Sequence, residues 1–345
     1  MTLDQRRRIG QTELEVPVLG LGTAPLGGIY AKIDEAEARA TFQAAWDGGV
    51  RFFDTAPWYG LGQAEHRTGR ALFDRPRDSY VLTTKVGRLL HRPRDRAAFA
   101  PPAWEAPLQF EVEHVFTYDA IMRSYEDSLQ RLGINKVDML YIHDLDRGYF
   151  PDEAALTAKF RELDSSGYRA LEELRAAGEV AAIGAGINER GMMTRFLEAA
   201  QLDVFFVASR FTLLEQAIYF EEILPAAKTG ASVVVGGAFS SGILATGEAE
   251  GGKYEYGTAP QEIVDKVARL NAITRDHGVD LPAAALQFPL MAPEVSSVVF
   301  GAVTPEEVRA NIAHAAAPIP DGLWSDFVSA GLIAEGVPVG PPGAA

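Results

Sequence analysis

The stretch RFFDTAPWYG spans residues 51–60. Its first residues form a short apolar run of the kind that buried strands have, and that run ends on a carboxylate, Asp54. Pro57 turns the chain, and the aromatic pair Trp58 and Tyr59 follows at once. One interpretation is structural, with a strand end, a turn and two packed aromatic rings. The other places Asp54 and Tyr59 on one loop as catalytic groups. Taken alone, the ten residues favour the structural interpretation.

Apolar runs of the same kind recur along the chain and alternate with longer segments of helical period. They are continuous rather than alternating and rich in β-branched and aromatic residues, which is typical of strands buried on both faces. The runs are PVLGLGT (17–23), RFFDTA (51–56), YVLTTK (80–85), VDMLYIHD (137–144), AAIGAGI (181–187), VFFVAS (204–209), SVVVGGAF (232–239) and SSVVFGA (296–302). Because a helical segment follows each run, the pattern predicts an α/β fold, a (β/α)8 TIM barrel.

A doubly wound open sheet is the rival fold. It is disfavoured because no Gly-x-Gly-x-x-Gly turn follows an early strand. The segment RRIGQTELEVPVLG, residues 7–20, predicts an N-terminal hairpin that plugs the bottom of the barrel. We expect one domain over residues 1–345, with long loops at the C-terminal face of the barrel. Residues 88–117 would form a long active-site loop, and residues 336–345 a flexible tail.

Composition narrows the classes of partner. The formal net charge is -15, and such an acidic chain is poorly suited to nucleic acid or anionic membrane surfaces. The absence of cysteine excludes disulfides, thiolate metal sites and a cysteine nucleophile, and we expect no metal site. The basic N-terminus lacks the apolar segment of a signal peptide. We therefore expect a cytoplasmic protein, either a monomer or a small homo-oligomer.

The strand ends supply candidate catalytic groups, because barrels of this type carry function at the C-terminal ends of their strands. The second run delivers Asp54, with Tyr59 one turn later, the third ends at Lys85 and the fourth reaches His143. Each residue alone has an ordinary structural explanation. Together they bring a carboxyl, a phenol, an amine and an imidazole to one mouth, and this combination favours catalysis.

These residues lie in motifs that resemble those of the aldo-keto reductase superfamily. FFDTAPWYGLGQAEHRTGRAL (52–72) resembles the family signature, TTKVG (83–87) its lysine motif and VDMLYIHD (137–144) its histidine motif. TYDAIMRSYEDSLQRLG, SRFTLLEQ and FSSGILATG are similar to the branch of bacterial aldose 1-dehydrogenases, for D-threo-aldoses and L-fucose, and pyridoxal 4-dehydrogenases. The resemblance covers the chain from Leu19 to Asn311.

The resemblance implies hydride transfer between NAD(P) and a carbonyl or hemiacetal carbon. Tyr59 would exchange the proton of the substrate oxygen. A free phenol has a pKa of about 10, and a neighbouring ammonium such as that of Lys85 favours its ionised form. Asp54 would pair with Lys85, and His143 would donate to the substrate oxygen and orient it.

The resemblance also implies a set of cofactor contacts. Asn188 sits one place off the family's usual GVSN spacing, and the family's glutamine in the sixth strand is absent. The implied contacts are Gly22, Thr23 and Asp54 at the ribose and nicotinamide, Asn188 at the amide, Phe239 as an aromatic face, Ser240, Ser241, Gly242 and Leu244 at the pyrophosphate, and Gly301, Glu307 and Asn311 at the adenosine.

Glu307 predicts a preference for NAD, with NADP still possible. NADP-preferring relatives place basic residues at this end to bind the 2′-phosphate. A carboxylate there would repel a phosphate and accept from the ribose hydroxyl of NAD, although Arg309 lies close by. Glu307 also stands three residues after Thr304, where a capping-box residue is expected, and it could serve both roles.

The expected substrate contacts are Tyr30, Trp58, Trp104, His143 and Asp144. An aromatic wall suits a pyranose face or a pyridine ring. We predict oxidation of the anomeric carbon of an aldose, such as L-fucose or another 6-deoxy or threo sugar, to its lactone. The alternatives are oxidation of the pyridoxal hemiacetal to 4-pyridoxolactone, or general aldehyde and ketone reduction. A non-catalytic subunit, like channel-associated relatives, is the rival from another class.

Overall fold

The computed structural model describes residues 4–29, 31–100, 104–247, 252–255 and 257–340. Within them, parallel strands close a barrel in which each strand pairs with the next along the chain and the last pairs with the first. The strands are β1 (Leu19–Gly22), β2 (Phe52–Asp54), β3 (Val81–Val86), β4 (Met139–His143), β5 (Ala182–Ile187), β6 (Val204–Ala208), β7 (Ser232–Gly236) and β8 (Val295–Gly301). Each lies within or overlaps one predicted run, and the (β/α)8 barrel is confirmed.

Helices surround the barrel. Their ends follow the capping rules: the side chain of Asp34 accepts from the backbone of Glu37 at 2.8 Å, and Gly133 takes the left-handed conformation that ends a helix. The α-helices are Glu35–Asp47, Gln63–Leu72, Tyr118–Leu132, Glu153–Glu162, Tyr168–Ala176, Met192–Ala199, Leu224–Lys228, Ile243–Thr246, Gln261–Asp276, Leu281–Gln287, Pro305–Ala316 and Asp321–Ser329. Wider π-helical turns occur at Leu163–Gly167 and Tyr219–Ile223.

The predicted N-terminal hairpin is present and closes the bottom of the barrel. Strand Arg6–Arg8 pairs antiparallel with Glu15–Pro17. Ile9 is fully buried in the cluster that fills the barrel interior. The guanidinium of Arg7 donates to the carbonyl oxygens of Leu290 and Val295, at 2.7 and 2.5 Å. Since Val295 begins β8, the hairpin leaves the opposite end as the functional face.

The C-terminal face carries two further hairpins. The connection after β3, predicted as a long loop, contains strands Arg88–His91 and Glu111–His114, and residues 252–258 contain strands Lys253–Tyr254 and Gly257–Thr258. Of the predicted tail, Val337 is buried, and residues 341–345 lie outside the described residues. None of the helices in the described ranges has the length and apolar character needed to cross a membrane.

Candidate active site

A buried ion pair joins the ends of β2 and β3. Nζ of Lys85 lies 2.7 Å from Oδ2 of Asp54 and donates to the carbonyl oxygen of Thr55 at 2.9 Å. The hydroxyl of Thr83 donates to Oδ1 of Asp54 at 2.7 Å. Burial raises the pKa of Asp54, and Lys85 and Thr83 oppose that rise. The carboxyl group therefore holds the amine of Lys85 at one position in the barrel mouth.

Tyr59 lies over this ion pair. The centroid of its ring is 4.7 Å from Nζ of Lys85 and 5.6 Å from the ring centroid of His143, which it meets edge-on. The loop takes this path because Gly60 has a φ of +63° and packs on the backbone of Gly27, where a Cβ on Gly60 would come 2.6 Å from the carbonyl oxygen. The structure thus brings the four predicted catalytic residues, including Asp54, to one place.

His143, at the end of β4, contacts the residue that follows it. Nε2 of His143 lies 3.1 Å from Oδ2 of Asp144, and the same oxygen accepts from Nη2 of Arg88 at 3.0 Å. All three side chains are buried. The sequence predicted that His143 donates to the substrate and that Asp144 contacts it. In this structure the carboxylate of Asp144 lies where the Nε2 proton is directed.

Burial lowers the pKa of His143 to about 3, so the imidazole is neutral near pH 7. Because Nε2 faces a carboxylate, we assign the single ring proton to Nε2. Nδ1 has no hydrogen-bond partner among the described residues. Burial would raise the pKa of Asp144, but His143 and Arg88 outweigh it and hold that pKa below its ordinary range. The site therefore combines a neutral imidazole with an ionised carboxylate.

A second carboxyl group, on Asp146, holds Asn188. Its Oδ2 accepts from the backbone N–H of Asn188 at 2.8 Å and from the side-chain amide at 3.0 Å. Asp146 is fully buried, and its Oδ1 has no partner within the described part of the chain. Burial and the charge of Asp144 raise the pKa of Asp146 to about 8. Because the amide nitrogen of Asn188 points to Asp146, its amide oxygen faces away.

Aromatic side chains form a wall beside Tyr59. The ring of Trp104 meets that of Trp58 edge-on at 5.7 Å between centroids and lies 5.9 Å from that of Tyr59. The guanidinium of Arg88 covers the ring of Trp58 at 4.7 Å. Tyr30, also predicted to bind substrate, lies outside the described residues. A cleft of about 770 Å³ opens beside this wall, and its lining includes Trp58, Phe99, Phe110 and His114.

Comparison with known proteins agrees with this geometry. A model of the aldo/keto reductase family matches residues 18–330. The chain belongs to the aldo/keto reductase family. It is therefore an oxidoreductase, and the resemblance seen in the sequence is confirmed.

Two relatives of this aldo/keto reductase align over nearly the whole chain. A pyridoxal 4-dehydrogenase from Microbacterium luteolum is 42% identical over 340 residues, 95% of this chain and 98% of the relative. A D-threo-aldose 1-dehydrogenase from a Pseudomonas species is 40% identical over 330 residues, 93% and 95% of the two chains. Among solved structures, the holo form of an aldo-keto reductase from Bacillus halodurans shares the fold, with a TM-score of 0.71, 23% identity, and coverage of 96% and 97%.

Aldo/keto reductases use nicotinamide cofactors, and the rim of this barrel fits such a group. Thr23, next to Gly22 at the end of β1, is wholly buried, and its hydroxyl has no partner in the described ranges. Ser240, Ser241 and Gly242 have successive φ values of 48°, 60° and 103°. A positive φ is strained for the two serines, and strain of this kind occurs at ligand-binding turns. In the same ranges no group of three or more histidine, aspartate or glutamate side chains is placed to hold a metal ion.

Several backbone N–H groups that were predicted to hold the pyrophosphate already donate within the chain. The backbone N–H groups of Gly242 and Leu244 donate to the carbonyl of Phe239, and that of Ser240 donates to the carbonyl of Gly237. The tight turn after β7 satisfies these donors within the chain. A phosphate at this turn would therefore have to displace them or use other groups of the segment. The side chain of Phe239 is half-buried against the hydrophobic core.

Glu307, one of the predicted adenosine contacts, caps a helix. Its Oε2 accepts from the backbone N–H of Val303 at 2.8 Å, and its own N–H donates to the hydroxyl of Thr304 at 3.1 Å. The capping role is therefore present. The carboxylate remains exposed, so capping does not remove its charge from the surface that the adenosine would meet.

The remaining predicted adenosine contacts lie at the same end. Nδ2 of Asn311, which is 8% exposed, lies 3.5 Å from the carbonyl oxygen of Gly301. Arg309, the nearby basic residue, forms an ion pair with Glu306. The ion pair partly neutralises Arg309, the nearby cation that could weaken the effect of Glu307 on cofactor choice.

Sequence reasoning missed Arg88, Thr83 and Asp146. Arg88 stands three residues after Lys85 in TTKVGR, and Asp146 stands three residues after His143 in HDLD. Both are charged residues just beyond the end of a strand, and that position was the available signal. Their partners, Asp144 and Asn188, follow the ends of other strands, so the contacts themselves could not be predicted from the local sequence.

Proposed function

We propose that this aldo/keto reductase oxidises the anomeric carbon of an aldose, such as L-fucose or another 6-deoxy or threo sugar, to the lactone, with NAD as the preferred cofactor. One observation carries the proposal: Nζ of Lys85, fixed by Asp54, lies 4.7 Å from the ring centroid of Tyr59, which borders His143. The identity of 40% with a D-threo-aldose 1-dehydrogenase supports the substrate class.

Each catalytic residue has a distinct task. Tyr59 takes the proton of the anomeric hydroxyl, and the ammonium of Lys85 stabilises the phenolate that carries out this step. Asp54 keeps Lys85 aimed at the phenol. His143, neutral because of its burial, orients the reacting oxygen through a hydrogen bond. NAD, held by Thr23 and Asn188, would supply the acceptor for the hydride of the anomeric carbon, which becomes the carbonyl carbon of the lactone.

The preference for NAD rests on Glu307. Its carboxylate is exposed at the helix start where a 2′-phosphate would lie in NADP, and like charges there repel. Thr23 and Asn188 would hold the ribose and amide end, and Asn311 the adenine. The ion pair between Arg309 and Glu306 supports this assignment, because Arg309 is already matched by a carboxylate.

A second substrate class is pyridoxal, oxidised as its cyclic hemiacetal to 4-pyridoxolactone. The 42% identity with a pyridoxal 4-dehydrogenase favours it, and the aromatic wall formed by Trp58 and Trp104 would accept a pyridine ring. Since both substrates react at a hemiacetal carbon, the same four catalytic residues serve either. General aldehyde or ketone reduction is a third activity, which the NAD preference makes less suitable.

A panel of aldoses and pyridoxal, each with NAD and with NADP, tests the proposal. With NAD and at least one hemiacetal, we expect absorbance at 340 nm to rise as NADH forms. Mass spectrometry should detect the lactone. Negligible rates with every hemiacetal, alongside rapid reduction of simple aldehydes when NADH or NADPH is supplied, would reject the proposed direction. Stoichiometric dinucleotide binding without turnover on any substrate would point to a non-catalytic subunit.

A further inference from the structure

Asp144 is a buried carboxylate with a donor on either side. Its Oδ2 accepts from Nη2 of Arg88 at 3.0 Å and lies 3.1 Å from Nε2 of His143. The backbone of Asp144 has a φ of +43°, a strained conformation for a residue with a side chain. Such strain is retained where the surrounding structure requires a particular side-chain direction.

That direction is toward the catalytic centre. A Cβ placed on Gly186, at the mouth of the barrel, would lie 3.9 Å from Oδ1 of Asp144 and 3.9 Å from Cε of Lys85. The carboxylate and the catalytic lysine therefore approach the same point from two strands. Because position 186 has no side chain, Gly186 itself leaves this point open.

Arg88 fixes the carboxylate in place. Arg88 is 1% exposed, and its guanidinium contacts two aromatic rings, at 4.7 Å from the centroid of Trp58 and 4.3 Å from that of Tyr149. The hydroxyl of Tyr149 also interacts with Asp144, whose charge, together with burial, raises the pKa of that phenol. A carboxylate held this way cannot turn to solvent when a substrate lacks a matching donor.

We propose that Asp144, positioned by Arg88, selects substrates that carry a hydroxyl on the carbon next to the reacting carbon. This rests on the proposed function. When the reacting oxygen accepts a hydrogen bond from Nε2 of His143, Oδ2 of Asp144 loses that donor and keeps the one from Arg88. A hydroxyl on the neighbouring carbon replaces that donor, so the buried carboxylate stays satisfied.

The physical basis is the cost of taking a hydrogen-bond donor away from a buried carboxylate. A site built to bind a hydroxyl rejects the analogue that lacks it, because its polar group then has one partner fewer. An aldose has a hydroxyl on carbon 2, next to its reacting carbon, whereas the phenolic hydroxyl of pyridoxal lies one carbon further away. A 2-deoxy aldose and simple aldehydes have no hydroxyl on the neighbouring carbon.

The test compares kcat/KM with NAD for an aldose that the enzyme oxidises and for its 2-deoxy analogue. For the wild type we expect a ratio of at least ~100. For Asp144→Ala the ratio should fall below ~10, mainly through a rise in KM for the aldose. Arg88→Lys should retain part of the discrimination, and Arg88→Met should lose most of it through a rise in KM.

Two controls keep the result interpretable. Asp203→Asn removes a carboxylate that pairs with an arginine, Arg175, at the other end of the barrel, and it should leave the ratio unchanged. If Asp144→Ala does not fold, as judged by circular dichroism, the double variant Arg88→Met with Asp144→Leu removes both charges together and takes its place.

The outcomes separate the inference from the proposed function. A wild type that oxidises no hemiacetal would reject the proposed function and this inference with it. A wild type that oxidises the aldose but treats the 2-deoxy analogue equally well would overturn the inference alone. So would a ratio that persists in Asp144→Ala or in the double variant.

Discussion

Oδ2 of Asp54 and Nζ of Lys85 lie 2.7 Å apart, in a pair of side chains that are each 2% exposed. An ion pair this deeply buried contributes little by itself, but either charge left without the other is strongly unfavourable. The pair therefore links the stability of the barrel to the chemistry of Tyr59. Variants at the three positions should separate the two effects.

Tyr59→Phe should lower kcat by at least ~100-fold, because general acid–base catalysis contributes about that much or more. The ring, with its contacts to Trp104 and His143, is retained. Dinucleotide affinity, measured by fluorescence titration, and the midpoint of thermal unfolding should therefore change little. Retained turnover would overturn the assignment of Tyr59 as the group that exchanges the proton.

Lys85→Met should lower the free energy of unfolding by about 3–5 kcal/mol, because it leaves the carboxyl of Asp54 buried without its partner. The double variant Lys85→Met with Asp54→Leu should recover much of that loss while remaining inactive. Urea denaturation measures the free energy of unfolding of the single and the double variant. As a control, Glu306→Gln breaks an exposed ion pair with Arg309 and should barely change stability. A double variant no more stable than Lys85→Met would contradict the coupling.

His143 should make stability fall as pH drops. Its pKa in the folded chain is about 3, against an ordinary value of 6.5, so between these values the unfolded chain binds the proton and the folded chain does not. Stability therefore rises with pH across this window. His143→Gln should flatten the rise in urea denaturation between pH 4 and pH 7. Imidazole NMR of the wild type should show a neutral ring at pH 5, and a titration near pH 6.5 would contradict the burial effect.

Asp146 should have the opposite pH dependence. Its folded pKa is about 8, against an ordinary value of 3.8, so the folded chain holds a proton that the unfolded chain has lost, and stability falls as pH rises between these values. Asp146→Asn keeps an oxygen acceptor for Asn188 and removes the ionisation. The free energy of unfolding of the variant, minus that of the wild type, should therefore be larger at pH 8 than at pH 5. An equal difference at both pH values would contradict the raised pKa of Asp146.

The sequence predicted the barrel because each strand leaves a local signature, a short apolar run followed by a helix. It also predicted the meeting of Asp54, Tyr59, Lys85 and His143, since parallel strands end at one mouth. It did not predict the partner of His143. Whether a strand-end histidine faces a substrate or a neighbouring carboxylate depends on the backbone angle of Asp144, which no local pattern encodes.

The turn after β7 shows a similar limit. The composition of FSSGILATG indicates a glycine-containing ligand loop, but it does not reveal which N–H groups the turn itself uses. Those of Gly242 and Leu244 both donate to the carbonyl of Phe239. Hydrogen-bond accounting of this kind requires backbone coordinates.

Cofactor choice can be tested at Glu307, where capping and charge can be separated. Glu307→Gln keeps an oxygen that can accept from Val303 but removes the charge, so it should modestly raise the ratio of kcat/KM for NADP to that for NAD. Glu307→Arg adds a cation that can bind the 2′-phosphate and should raise the ratio further, by at least ~10-fold, since a charge-assisted hydrogen bond is worth about 1.5–3 kcal/mol. If neither substitution moved the ratio, Glu307 would be a helix cap alone and the preference for NAD would need another cause. If both moved it equally, removal of the negative charge, rather than gain of a phosphate ligand, would determine selectivity.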